Sequence, residues 1–62
     1  MTTSFLTDLF ATLSDLIRAA EHHAPGGKLT ADDMRGLYRR AASIHGCTPE
    51  GARRWWEARE SA

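Results

Sequence analysis

The chain has 62 residues, enough for one domain, and a domain of that size buries only about 60% of the surface its unfolded form exposes. Eight Lys and Arg balance eight Asp and Glu, so no net field draws the molecule toward nucleic acid or an anionic membrane. One cysteine, Cys47, excludes an intramolecular disulfide and fits a reducing, cytoplasmic setting; no apolar run approaches the roughly 20 residues that span a bilayer.

Met1 is followed by Thr2, Thr3 and Ser4 instead of a basic segment, so neither export nor membrane insertion is expected. Charge is unevenly spread. Residues 1 to 27 carry Asp8, Asp15 and Glu21 against Arg18, whereas residues 28 to 62 carry Lys28 and six arginines against five carboxylates. The second half therefore has the polar contact surface, if there is one.

No segment alternates at the period of two that a strand needs, and three segments repeat at the period of a helix, so the expected class is all-α, a three-helix bundle. The first helix is expected over about 4–23. Phe5, Leu6, Leu9, Phe10, Leu13, Leu16, Ile17 and Ala20 fall within an arc of about 140°, with Asp8, Asp15, Arg18 and Glu21 outside it. Ser4 is placed to cap its start. Pro25 turns Ala24 away from helical geometry, and Gly26 and Gly27 reverse the chain.

The second helix, expected over 31–45, has the clearest start. Thr30 stands at the N-cap, Asp33 at the reciprocal capping position, and Leu29 and Met34 at the two places of a hydrophobic staple. Met34, Leu37, Tyr38, Ala41, Ile44 and His45 share an arc of about 120° that should face inward, while Gly36, Arg40 and Ser43 face away. Gly46 ends it. The third helix, expected over about 48–60, has Thr48 as N-cap, Pro49 at its first position and Glu50 near the positive end of its dipole. Ala52, Trp55, Trp56 and Arg59 line one side.

The short turn at Gly46 and Cys47 gives this region its character. Two closely crossing helices need a small side chain at the crossing, a residue that accepts positive φ at the turn, an apolar residue after it and a capped second helix. Ala42, Gly46, Cys47 and Thr48 meet those demands in order. The stretch "AASIHGCTPEGARRWWEAR", residues 41–59, resembles the helix-turn-helix of small bacterial and phage transcriptional regulators and of transposase and resolvase DNA-binding domains. Here His45 precedes the turn glycine and Ala52 takes the inward position of the last helix, where the tryptophan pair is expected to refill the space.

The resemblance implies a DNA-binding regulator whose third helix enters the major groove of double-stranded DNA. Thr48, Glu50, Gly51 and Arg54 would face base edges, and Arg53, Arg39 and Arg40 the phosphates. The first helix, through Phe5, Leu9, Phe10, Leu13 and Leu16, would build a homodimer. A second expectation is a small inhibitor or adaptor of the phage or mobile-element type, which blocks a target protein such as a host defence complex through that apolar stripe and one exposed tryptophan, Trp56 or else Trp55, since adjacent rings point about 100° apart.

Catalysis is not expected, since so small a chain scarcely encloses a substrate, and no small-molecule substrate or cofactor is implied. His22, His23, His45 and Cys47 lack metal-ligand spacing. The acidic first helix also lacks the basic face of an interfacial membrane helix.

Overall fold

The structure, a computed structural model, describes residues 4–61. Met1, Thr2 and Thr3, read above for the lack of an export segment, lie outside the described residues, as does Ala62. The chain forms three helices: α1 (Phe5–His23), α2 (Ala31–His45) and α3 (Pro49–Ser61). No strand occurs among the described residues, and none of the described helices is long and apolar enough to cross a membrane.

The helix boundaries follow from local chemistry. Thr30 Oγ1 accepts the Asp33 N–H at 3.1 Å and Asp33 Oδ2 accepts the Thr30 N–H at 3.0 Å, so two amides that lack helical partners are satisfied reciprocally. Ser4 occupies the N-cap of α1 with extended backbone, but its side chain bonds no amide there; only its carbonyl accepts, from the Asp8 N–H at 3.1 Å. Ala24, before Pro25, is extended, and a hydrogen-bonded turn over Pro25–Gly27, with Gly26 and Gly27 at positive φ, leads the chain toward α2.

α2 packs on both other helices, while α1 and α3 meet along a shorter seam. The buried core is Leu9, Leu13, Tyr38, Ala41, Ala42, Ala52 and Trp56, with Phe10, Leu16, Ile17, Met34, Cys47 and Trp55 partly covered around it. Among the described residues, only Leu9 and Leu13 are large side chains with no exposed surface. Each contributes about 1.5 to 3 kcal/mol by leaving water, so the core is thin even for a domain this small.

Three expected inward positions turn outward. Ile44 is 60% exposed, because its neighbour His45 takes the place beneath α1, and adjacent residues on a helix point about 100° apart. Phe5 and Leu6, at the first turn of α1, are 41% and 37% exposed.

Candidate nucleic-acid interface

The α2–α3 corner is built from small residues and a tightly closed turn. Gly46 has φ 72° and ψ 35°, a left-handed conformation that costs a side-chain-bearing residue but not glycine. The Cys47 N–H reaches back to the Ala42 carbonyl at 2.9 Å, and the Gly46 N–H uses the same carbonyl, which closes the end of α2 on a left-handed glycine. Ala42 on α2 and Ala52 on α3 are both buried, and such small side chains let two helices cross closely.

α3 starts on a side-chain cap. Thr48 Oγ1 accepts the Gly51 N–H at 3.0 Å, and the Thr48 carbonyl accepts the Ala52 N–H at 3.0 Å. Gly51, expected at a base edge, is instead half-buried on the flank of the helix. A Cβ there would lie 3.1 Å from Thr48 Oγ1 and 3.5 Å from the Trp55 ring. Its lack of a side chain leaves room for the Thr48 cap and the Trp55 ring.

Thr48, Glu50, Arg53 and Arg54 are exposed along the first two turns. Arg53 is engaged: its Nε donates to Glu57 Oε2 at 3.0 Å, an i,i+4 pair that favours the charged guanidinium. Both partners are well exposed, so the bond is weak enough to yield to a phosphate. Arg54 makes no ion pair among the described residues and is the free cation of the early outward surface. Arg39 and Arg40 are exposed on α2; being adjacent, they point about 100° apart and present two different sides of that helix.

The residues expected to meet another protein separate into two groups. Leu9 and Leu13 are fully buried in the chain's own core and offer no surface to a partner. Trp56, expected as an exposed anchor, is also core: it is 7% exposed, with the Phe10 ring edge-on at 6.0 Å and the Arg59 guanidinium 4.8 Å from its centroid. One turn after the small, buried Ala52, the indole packs between α3 and the Phe10 ring of α1.

Phe10 and Leu16 are half-covered, which leaves Phe5 as the most accessible of the predicted set. The Phe5 ring stands edge-on to Trp55 at 5.5 Å and to His45 at 6.2 Å. Trp55, half-buried, is thus the more exposed tryptophan. His45 is held by a 2.7 Å hydrogen bond shared between its Nε2 and Thr12 Oγ1, which is how an imidazole is accommodated at this half-buried position.

One feature of the corner escaped sequence reasoning. On its outer side α2 and α3 enclose an open groove of about 450 Å³, with Tyr38 in its wall. Burial, then the carboxylates of Glu57 and Glu60, push the Tyr38 hydroxyl above the usual phenol range, against a smaller opposing effect of Arg53. The only sequence signal was the spacing of Arg53 and Glu57, which places both on the groove side of α3.

No family model matches the chain, and neither the curated proteins nor the solved structures contain a match to it.

Proposed function

We propose that the chain is a small non-catalytic DNA-binding regulator that presents α3 to the major groove of a duplex. The observation that carries this reading is the α2–α3 corner, where a left-handed Gly46, buried Ala42 and Ala52 and a Thr48-capped helix produce the close crossing on which a recognition helix is mounted. Arg54 is then the residue for a guanine edge, Glu50 for a cytosine amine, and Arg53, released from Glu57, for a phosphate, with Arg39 and Arg40 as further phosphate candidates. A dimer would use Phe5 and Leu6 with the half-covered Phe10 and Leu16, since Leu9 and Leu13 are already enclosed.

The test is a titration of the purified chain with duplex DNA at low and moderate salt. Arg54→Ala is expected to cost about 1 to 3 kcal/mol at one base position, and Arg53→Ala to weaken all sequences alike while lowering the salt slope by about 1. Binding by both variants equal to that of the parent at every salt concentration would remove α3 from the interface.

A second reading is supported by one observation. Phe5, Leu6 and Ile44 are exposed where α1 starts and α2 stops, beside the half-buried Trp55. Apolar and aromatic surface of that kind suits a target protein, as in an inhibitor or adaptor. Absence of duplex binding at low salt, together with a solution mass of one chain, would favour it.

A further inference from the structure

The charged residues that α3 carries over positions 49–57 are Glu50, Arg53, Arg54 and Glu57, and all four are exposed. The carboxylates offset the guanidinium groups, so this surface has no net charge with which to hold a phosphate backbone. Glu50 and Glu57 are seven residues apart, close to two full turns, and point to the same side of the helix. Arg53 stands three residues after the first and four before the second, within reach of either.

The bond that forms is the one to Glu57, from Arg53 Nε to Oε2 at 3.0 Å. Both residues line the α2–α3 groove beside Tyr38. After burial, Glu57 has the largest upward effect on the Tyr38 hydroxyl, and Arg53 has an opposing one, so both members of the pair lie toward α2. The Arg53 guanidinium is thereby held on the α2 flank of α3. Arg54, about 100° further round the helix, has no ion pair among the described residues and carries no such restraint.

We infer, on the DNA-binding reading of α3, that Glu57 competes with the DNA backbone for Arg53 and so holds down the sequence-independent part of the affinity. Each phosphate contact by Arg53 must first displace the Glu57 carboxylate. Transfer of the guanidinium then leaves that carboxylate uncompensated beside a polyanion, which offsets part of the gain. Side-chain exposures of 66% for Arg53 and 55% for Glu57 make the pair a weak one, so the restraint is graded and amounts to a few-fold in affinity.

The experiment measures duplex binding by the parent chain, Glu57→Gln, Arg53→Ala and the double variant over a range of salt. Glu57→Gln keeps the side-chain shape and removes its charge, and at an exposed position it is expected to leave the fold intact, which circular dichroism checks. It is expected to bind every duplex about two- to fivefold more tightly than the parent, with a steeper salt dependence. In the Arg53→Ala background the gain is expected to vanish, because the residue through which Glu57 acts is gone. The Arg53 Nε–H resonance of the free chain is expected to move in Glu57→Gln, which reports loss of the bond without DNA. Unchanged affinity in Glu57→Gln, an unmoved Nε–H resonance, or an equal gain in both backgrounds would overturn the inference while leaving the DNA reading in place. Failure of the parent and Glu57→Gln alike to bind at low salt would remove the DNA reading and the role of Glu57 with it.

Discussion

Gly46 shows how much one backbone conformation governs here. A Cβ at this position meets no atom within 4 Å, so a substitution is opposed by its positive φ alone and not by a clash. Gly46→Val is expected to cost about 1 to 3 kcal/mol and Gly46→Ala less, since β-branching adds to the left-handed strain; urea unfolding of the three proteins checks the order. Tyr38 yields a pH prediction. Its folded-state pKa is raised, so its proton is held more tightly in the folded chain than in the unfolded one. The associated stability is complete below the unfolded value of 10.0 and is lost as pH rises from there through the folded value. Denaturation measured between pH 8 and about 11 is expected to show this loss in the parent chain and a smaller one in Tyr38→Phe.

At the scale of the element, the start of α3 sets two effects against each other. Alanine exceeds glycine in helix propensity by about 1 kcal/mol, but a Cβ at Gly51 presses on the Thr48 hydroxyl that caps the same turn. Thr48→Ala alone is expected to cost about 0.5 to 2 kcal/mol. Gly51→Ala is expected to stabilise the Thr48→Ala chain by most of its propensity gain, and the parent chain by less. A double-mutant cycle in urea reads the difference directly; additivity of the two changes would mean that the close contact has no energetic consequence.

For the whole molecule, the thin core makes stability depend on very few side chains. Leu13→Ala is expected to cost about 2 to 5 kcal/mol, which approaches the entire stability of a domain this size, and the chain should be largely unfolded by circular dichroism at 25 °C. Ile44→Ser, on the exposed side of α2, is expected to change stability by less than about 0.5 kcal/mol. A large loss from Ile44→Ser, growing with protein concentration, would instead show that this residue is buried in an assembly of the chain.

The sequence by itself determined the helices and their ends, because these depend on neighbours in the chain. The apolar period of α1, the Thr30–Asp33 box, Pro25 before the glycine pair, Gly46 and the Thr48-Pro49 start are all effects within a few residues, and the helices run where those signals place them. The candidate site was legible to the same extent: the turn, the cap and the exposed Glu50, Arg53 and Arg54 follow from spacing. Tertiary structure decided what spacing leaves open. Trp55 and Trp56 have equal claims on a wheel, and only the packing of Phe10 from α1 assigns the second to the core. His45 displaces Ile44 because Thr12 lies opposite it, a partner 33 residues away. Gly51 is defined by the tryptophan ring folded against it, and the Tyr38 groove exists only where two helices cross. Local hydrogen bonds and backbone sterics are written in consecutive residues, whereas burial is a property of the surface that another helix brings.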